Sequence, residues 1–343
     1  MILVLNCGSQ SIKWKLFEEK KLKPKKKGER PVLKKKNYPN ILEEELTKLD
    51  SYQDKISVIG HRFVHGGENF RKPTKITPAI LKELRKLNKL APLHNPFNLL
   101  GIKKSKKIFP KIPQIAVFDT EFYSRLPEDS YIYPLPQKIN KKFGFRKFGF
   151  HGISHEYVAK EGAKILKRPF KKLKIITCHL GGGASITAIK NGRAIDTSMG
   201  FTPLAGLMMM TRCGDIDPGI VLELCKNFSV KKVEQLLNFE SGIKGICGDD
   251  NMLKVLKKIK KRDKKARLAL KIWVYQIQKY IGAYFAILGG CNLLIFTGAI
   301  GAGSRKIRNM ICKNLDILKR TNVLAIKTDE ELAIAKKIKK LIR

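Results

Sequence analysis

The order of apolar and polar positions at the start of the chain predicts a β-hairpin. The stretch "ILVLNCGSQSIKWKLFE" begins with apolar residues, passes through small residues and continues with side chains of alternating polarity. This pattern is typical of two antiparallel strands joined by a turn. The stretch "IITCHLGGGASITAIKNGRAI" has the same order and predicts a second hairpin.

The two hairpins indicate an internal repeat. Ser11-Ile12 aligns with Ser185-Ile186 at an offset of 174 residues, about half of the 343-residue chain. A repeat at this distance indicates a chain built from two similar halves. Because predicted strands and helices alternate, we expect a mixed α/β protein of two domains, with a ligand site in the cleft between them.

The second half also predicts a long helix. Residues 257–288 carry apolar side chains at spacings of three and four, which predicts one amphipathic helix with a lysine-rich start facing water. Gly289 and Gly290 are expected to end it. Its apolar positions are Ala266, Leu270, Trp273, Ile277, Ile281, Tyr284 and Leu288.

The stretch from Ile281 to Gly303 has no charged residue and is long enough to span a membrane. Its segments "GG", "CN" and "TGAIGAG" instead divide it into a helix end, a short strand "LLIF" and a glycine loop. We therefore expect no membrane span. The start of the chain lacks the basic region of a signal peptide, and seven cysteines without a CxxC pair argue against a disulfide framework. A cytoplasmic location is expected.

The charge is strongly basic, with 70 Lys and Arg against 29 Asp and Glu and a formal net charge of +41. Such a balance is typical of proteins that bind nucleic acid or anionic membranes. The lysines are spread over the whole chain, however, so a nucleic-acid partner is not expected. The densest basic stretch, residues 20–39, has two interpretations: a solvated turn at a hairpin tip or an arm that binds polyanions.

Three glycine-rich turns predict a phosphate site. The stretches "NCGSQS", "HLGGGAS" and "TGAIGAGS" each follow an apolar run, so their backbone N–H groups can gather at the end of a strand and bind phosphate oxygens. The alternative is three structural turns. None of them matches a P-loop or a dinucleotide-binding fingerprint.

Isolated polar residues within apolar sequence are the candidates for chemistry. Arg62 and Arg212 can bind a pair of anionic oxygens in a bidentate manner, as a phosphoryl group or a carboxylate requires. Asp119 can hold Mg²⁺ or orient a nucleophile, or it can cap a turn. His151 can donate to developing charge, or it can be a hydrogen-bonded core residue.

Five stretches resemble signatures of the acetate kinase family, in the family's order. They are "GHRFVHGGE", "LAPLHNP", "FGFHGISH", "DTSMGFTPLAGLMMMTRCGDIDPG" and "TDEELAIA". The resemblance implies two domains of duplicated ribonuclease-H-like (actin-like) fold with the active site between them. Residues 1–123 with 332–343 would form the first domain, carrying part of the carboxylate and metal site. Residues 124–331 would form the second, which binds the nucleotide and dimerises.

The same resemblance implies reversible transfer of the γ-phosphoryl group of ATP to acetate, which gives acetyl phosphate and ADP. It implies Mg²⁺, with Mn²⁺ as an alternative, and a homodimer. The catalytic residues would be Asp119, His151, Arg212 and Arg62, and the metal residues Asn6 and Glu330. The carboxylate site would consist of Arg62, Val64, Leu93, Phe150 and Pro203. The nucleotide residues would be Ser9, Ser11, Lys13, His179, Leu180, Gly181, Gly182, Gly183, Asn251, Met252, Leu253, Ala299, Ile300, Gly301, Ala302 and Gly303.

The chain departs from the family pattern on the adenosine side. The family's "GIGEN" is "AIGAG" here, the family's "DMR"-like segment is "NML", and an asparagine of the phosphate loop is Gly182. Leu253 thus stands where the family has an arginine at the nucleotide. The chain is also shorter than usual for the family. We therefore expect an intact reacting centre with a weaker grip on the nucleotide.

Two alternatives remain at this point. The enzyme could phosphorylate propionate or butyrate, or use another phosphoryl donor such as pyrophosphate. An ordinary micromolar KM for ATP would exclude the second version. From a different class, the chain could be an inactive basic scaffold that binds nucleic acid. Binding that stays tight at physiological salt would be its mark, because non-specific binding weakens steeply as salt rises.

Overall fold

The computed structural model describes residues 1–342 of the chain. Its strands are β1 (Ile2–Cys7), β2 (Ser11–Phe17), β3 (Pro24–Pro31), β4 (Val58–Phe63), β5 (Thr74–Lys75), β6 (Gln114–Phe118), β7 (Ile175–Leu180), β8 (Ala184–Lys190), β9 (Arg193–Thr197), β10 (Leu293–Thr297) and β11 (Asn322–Ala325).

The helices are α1 (Tyr38–Thr47), α2 (Pro78–Lys86), α3 (Asn95–Ile108), α4 (Glu128–Tyr131), α5 (Gln137–Phe143), α6 (Gly152–Ile165), α7 (Pro218–Asn227), α8 (Val230–Gln235), α9 (Gly242–Cys247), α10 (Met252–Lys260), α11 (Lys264–Leu288), α12 (Gly298–Gly301), α13 (Arg305–Cys312) and α14 (Glu330–Leu341).

The chain divides into two compact units. The first unit comprises Met1–Ser124, Phe150–Ser154 and residues 329–342, and the second comprises Arg125–Gly149 and His155–Thr328. The division groups Phe150–Ser154 and the start of α14 with the first unit, outside the range 1–123 plus 332–343 expected from the sequence.

Each unit is built on one sheet, and the two sheets follow the same order. The first runs β3-β2-β1-β4-β6-β5, and the second, read from its antiparallel edge, runs β9-β8-β7-β10-β11. In both, an antiparallel hairpin leads into parallel neighbours. Ile12 pairs with Cys7 in the first hairpin, and Ile186 pairs with Cys178 in the second. The expectation of two similar halves and a mixed α/β fold is confirmed.

The core of the first unit lies between its sheet and the helices α1 and α3. The buried side chains of Leu5, Trp14 and Leu42 belong to it. The ring of Trp14 is buried in this core, and its one polar atom, Nε1, donates to Glu45 Oε2 at 2.8 Å. Burial of these apolar side chains stabilises the unit.

In the second unit, α11 packs against β8 with the predicted apolar stripe facing inward. All seven predicted positions of that stripe are buried, and Gly289 ends the helix with φ of +63°. The helix is shorter than predicted, however, because residues 257–260 belong to α10. Arg262 has φ of +64°, and Asp263 caps α11 by accepting from Ala266 N at 2.8 Å.

Two further expectations are corrected. The basic residues 24–31 form the exposed edge strand β3, so the hairpin tip is confined to Glu18–Lys23. Lysine on an edge strand hinders pairing with other chains, so the fold itself accounts for these basic residues. The glycine segment after β10 forms the short helix α12 and then leads into α13. No helix of the described residues is long and apolar enough to cross a membrane.

Candidate active site

The first unit gathers polar side chains at one edge of its sheet. Strands β1, β4 and β6 are parallel neighbours, so their carboxyl ends meet at that edge. Asn6 lies next to the end of β1, Arg62 next to the end of β4, and Asp119 directly after β6. In open α/β sheets, ligands bind outside the carboxyl ends of the strands.

Arg62 and Asp119 form a bidentate ion pair. Arg62 Nη2 donates to Asp119 Oδ2 at 2.6 Å, and Arg62 Nε donates to Asp119 Oδ1 at 3.1 Å. The Asp119 side chain is 1 % exposed. Because the planar guanidinium matches the carboxylate at two points, each side chain fixes the orientation of the other.

Glu330 and Asn6 complete this network. Glu330 Oε2 lies 3.6 Å from Arg62 Nε and accepts from Asn6 Nδ2 at 3.2 Å. Asn6 Oδ1 accepts in turn from Arg62 Nη1 at 3.2 Å. The structure therefore brings together four residues that the sequence singled out: Asn6, Arg62, Asp119 and Glu330.

Sequence reasoning missed the residues that orient this network from behind. Glu331 Oε1 accepts from Asn6 Nδ2 at 3.0 Å, which turns the amide oxygen of Asn6 toward Arg62. Lys15 Nζ lies 2.7 Å from Asp329 Oδ1 and 3.5 Å from Glu331 Oε2. The available signal was the acidic run "TDEEL" at a helix start, where Asp329 caps α14 by accepting from Leu332 N.

The electrostatics of the pair are set by burial and by neighbouring charge. Burial lowers the pKa of Arg62, but the carboxylates of Asp119 and Glu330 outweigh this, so its pKa is raised. Burial raises the pKa of Asp119, Arg62 opposes the shift, and Glu330 adds to it. Arg62 is therefore a fixed cation shared by two carboxylates.

His151 occupies a strained position beside the Asp119 turn. Its φ is +57°, a left-handed conformation that is uncommon outside glycine. The next residue, Gly152, lies so close to Asp119 that a Cβ there would stand 2.1 Å from the Asp119 carbonyl oxygen. Tyr123 Oη donates to the carbonyl of Phe150 at 2.9 Å. These contacts fix the backbone on both sides of His151.

Four of the five predicted carboxylate residues lie in the first unit, where two buried asparagines of α3 hold the backbone that follows β4; Pro203 lies in the second unit. Asn98 Oδ1 accepts from Val64 N at 3.0 Å, and Asn95 Oδ1 accepts from His65 N at 3.1 Å. The ring of His65 meets that of Phe150 edge to face, with centroids 5.4 Å apart. The segment "LAPLHNP" contains Leu93 and also Asn95, which accepts from His65 N.

The first predicted phosphate turn is a tight turn between β1 and β2. Gly8 N donates to Ser11 O at 2.9 Å, and Ser9 and Ser11 are half-buried. Lys13 lies opposite Asn6 in the hairpin register and pairs with Glu29 at 2.7 Å on the surface.

The second unit brings two of its predicted glycine turns to one edge. Residues 181–183 follow β7, and α12 follows the parallel neighbour β10, with His179 paired to Thr297. Helix α12, which contains Ala299 to Gly301, packs against β7 near Leu180. Arg308 Nη1 donates to the carbonyls of Gly301 and Ala302, each at 2.9 Å. Gly303 ends this segment before α13.

Arg212 lies on a loop that is attached to the glycine turn. Met210 N donates to Gly182 O at 3.3 Å, and Arg212 Nη1 lies 3.4 Å from the carbonyl oxygen of Pro203. Burial lowers the pKa of Arg212. The following "GDIDPG" is a structural turn, as expected: Asp215 Oδ1 accepts from Gly206 N at 2.7 Å, and Asp217 caps α7.

A buried histidine that the sequence did not single out stands behind the same turn. His155 Nδ1 is 2.6 Å from Thr177 Oγ1 on β7, and its Nε2 is 2.8 Å from Ser185 Oγ on β8. Burial lowers its pKa well below the ordinary value, and His179 adds to the shift. Neutral His155 therefore joins the two strands that carry residues 181–183.

The segment Asn251 to Leu253 forms the start of α10. Asn251 caps the helix by accepting from Leu253 N at 2.9 Å, and Met252 is buried. Leu253 is 70 % exposed. Of the three predicted nucleotide contacts here, Asn251 and Leu253 are exposed and Met252 is buried.

Comparison with known proteins decides the family. The sequence model that defines the acetokinase family matches residues 25–341 of this chain. The chain belongs to this family. The acetate kinase of Helicobacter acinonychis is 43% identical over 395 aligned positions, which cover 99% of this chain and 99% of that protein. Since the chain has 343 residues, it lacks segments that this relative has, as its short length predicted.

Solved structures agree with the family. The acetate kinase of Porphyromonas gingivalis is 35% identical with a TM-score of 0.89, covering 100% of this chain and 99% of that chain. A propionate kinase from Francisella tularensis is 36% identical, also with a TM-score of 0.89, covering 98% of each chain. The predicted family and the duplicated two-domain fold are confirmed.

The residues of the first unit fit a magnesium ion of the kind that kinases use. Mg²⁺ takes oxygen ligands and is usually held by one or two carboxylates together with substrate phosphates. Asn6, Asp119 and Glu330 supply amide and carboxylate oxygens within one network. No group of three or more His, Cys, Asp or Glu among residues 1–342 could hold a metal by itself. The donor set therefore fits an ion completed by phosphates.

Proposed function

We propose that this protein is an acetate kinase that transfers the γ-phosphoryl group of ATP to acetate reversibly. The observation that carries the proposal is the network of Arg62, Asp119, Asn6 and Glu330 at the ends of three parallel strands, in a chain of the acetokinase family. A carboxylate oxygen of acetate attacks the γ-phosphorus, and the bond between that phosphorus and the bridging oxygen breaks. ADP leaves with the electron pair.

The chain's own residues bind and orient the reacting groups. Arg62 binds the acetate or the moving phosphoryl group, and Asp119 holds Arg62 in place. His151 and Arg212 donate to the equatorial oxygens, where negative charge spreads during the transfer. Asn6, Asp119 and Glu330 hold Mg²⁺, which when bound neutralises phosphate charge. Val64, Leu93, Phe150 and Pro203 surround the methyl group of acetate.

The nucleotide binds through main-chain groups. Residues 181–183 and 299–303 present backbone N–H groups to the phosphates, with Ser9, Ser11, Lys13, His179 and Leu180 nearby. Leu253 and Ala302 replace polar family residues on the adenosine side. We therefore expect a KM for ATP above that of typical relatives.

We also propose a homodimer that forms through the second unit, in the cytoplasm. Helix α7 has no buried residue, and its Ile220 and Leu222 are 49% and 67% exposed. Exposed apolar side chains on one helix favour association with another surface. The net charge of +41 opposes it at low ionic strength, so the dimer should strengthen as salt is added.

Propionate is the second candidate acceptor, because the similar structure from Francisella tularensis is a propionate kinase. One additional methylene changes binding in a small apolar pocket by only about 1–3 kcal/mol. We therefore expect activity with both acids and a preference for acetate.

The test is formation of acyl phosphate, trapped with hydroxylamine. Acetate, propionate and butyrate are each paired with ATP and with pyrophosphate, with Arg212→Ala as the control. Activity with acetate and ATP that the control abolishes is expected. Activity with pyrophosphate but not ATP would change the donor, and no acyl phosphate in any pairing would overturn the proposal.

A further inference from the structure

We propose that Lys337 and Glu121 are positioning residues for phosphoryl transfer, because their ion pair ties the helix that carries Glu330 to the turn that carries Asp119. Lys337 Nζ lies 2.8 Å from Glu121 Oε1. Their side chains are only 18% and 15% exposed. The inference rests on the proposed function, since it assigns two more residues to that site.

The two residues have a fixed relation to the network around Arg62. Glu121 lies two residues after Asp119 in the short 3-10 turn Asp119–Tyr123. Lys337 lies seven residues after Glu330 on α14. Seven residues are close to two helical turns, so Glu330 and Lys337 lie on the same face of the helix. The same helix face thus contacts the site twice, through Arg62 and through Glu121.

Two other contacts of α14 act differently. Ile334 and Ile338 pack against β4 at Gly60, where a Cβ would stand 2.1 Å from Ile338 Cδ1. Apolar packing of this kind holds the helix close to the sheet but is not directional. Lys15 fixes the first turn of α14 through Asp329. The ion pair with Glu121 adds a directional contact two turns later, next to the turn of Asp119.

The charge of Glu121 makes the pair matter for the reacting centre. Without Lys337, the largely buried carboxylate of Glu121 would lose the cation that lies 2.8 Å from it. Loss of an ion-pair partner from a largely buried carboxylate is costly, so the turn would shift to bring Glu121 closer to water. Asp119 would move with the turn, and its alignment with Arg62 and Glu330 would be lost.

The experiment compares four full-length variants: Lys337→Met, Lys337→Arg, the double variant Glu121→Gln/Lys337→Met, and the control Lys104→Met. Lys104 pairs with the more exposed Glu43 at 2.5 Å, between α3 and α1 of the same unit and away from the turn of Asp119. For Lys337→Met we expect kcat to fall about tenfold, as for losses behind a metal site, with KM for acetate and ATP changed less than about twofold. Lys337→Arg should restore kcat, and the double variant should recover part of it.

A second readout needs no activity. Ser124 N donates to Glu121 O at 3.1 Å, so its hydrogen exchange reports on the turn. We expect faster exchange at Ser124 in Lys337→Met and not in Lys104→Met. If wild-type protein forms no acyl phosphate while Ser124 responds as expected, the proposed function fails and the structural tie stands.

The remaining outcomes decide against the inference. Equal effects of Lys337→Met and Lys104→Met on kcat would mean a general loss of stability. A higher KM at unchanged kcat would mean a role in binding. If Lys337→Met does not fold, Glu121→Gln is measured alone: a severalfold lower kcat supports positioning, and an unchanged kcat overturns it.

Discussion

Arg62 and Arg212 are both candidates for the same transferred group, yet the two units treat them in opposite ways. Arg62 lies between two carboxylates, which raise its pKa, whereas burial lowers the pKa of Arg212. The first unit thus neutralises its arginine within the protein. In the second unit, Arg212 Nη1 contacts the main-chain carbonyl of Pro203 and the sulfur of Met209, and the glycine turns are themselves main chain.

The two sheets share one strand order but carry different chemical groups at their carboxyl edges. The carboxyl edge of the first sheet carries side chains, which can discriminate an acid and hold a metal ion. The same edge of the second sheet carries glycine turns, which suit phosphates of any nucleotide. Loss of function should therefore have different signatures in the two units.

The largest effect is expected from the side-chain edge. Asp119→Asn should lower kcat by about a thousandfold, because it removes the charge that holds Arg62 and helps to hold Mg²⁺. Trapping of acyl phosphate measures the loss. Asp54→Asn, an exposed residue of the same unit, is the control. A fall of less than about tenfold would remove Asp119 from the site.

The second effect separates the two arginines by stability. Arg62→Met leaves the buried Asp119 unpaired and should reduce the free energy of unfolding by about 3 kcal/mol. Arg212→Met should change it little, since burial disfavours that charge. Both variants should lose activity. Unfolding of the two variants in denaturant gives the two losses in free energy of unfolding. Equal losses would contradict the prediction.

The pH dependence of Arg62→Met provides a further check. Burial already raises the pKa of Asp119 above its value in the unfolded chain, and removal of Arg62 raises it further. A raised carboxyl pKa contributes stability at low pH that is lost as pH rises. Arg62→Met should therefore be most destabilised at alkaline pH. Destabilisation that grows toward acid pH would contradict the assignment.

A third prediction uses one buried histidine in each unit. His61 contacts Gln114 at 3.0 Å, and burial lowers its pKa to about 4. A lowered histidine pKa means that stability is lost as pH falls below the unfolded value, by about 2 kcal/mol near pH 5. His61→Gln should flatten this pH dependence for the first unit. His155→Gln should do the same for the second unit. If the pH dependence of the free energy of unfolding is unchanged in either variant, that histidine does not contribute to it.

The sequence predicted the parts of the site that follow from short motifs. Both hairpins, the stripe of α11 and the turns after β1 and β7 follow from local pattern. So does the position of Asp119 after an apolar strand. The resemblance to a family then supplied Asn6 and Glu330, which are more than 300 residues apart and which no local pattern connects.

What the sequence could not predict depends on contacts between distant segments. The pairs of Glu331 with Asn6, Lys337 with Glu121 and His155 with Ser185 each join different elements. In a chain with 70 basic residues, no single lysine stands out. The edge strand β3 was missed because its lysines and proline suggest a loop, whereas pairing with β2 forms it.

The smallest expected effect tests the main-chain edge. Leu253→Arg places a cation at an exposed position on the adenosine side, where it can stack on or bind the nucleotide. We expect KM for ATP to fall about fivefold, or about 1 kcal/mol, with KM for acetate unchanged. Leu268→Arg is the matched control, because Leu268 is an exposed leucine of the same unit, on α11. If both variants lower KM equally, general attraction of ATP to a basic protein explains the gain. A fall confined to Leu253→Arg would mean that the adenosine side of this site lacks a side-chain contact that the new arginine supplies.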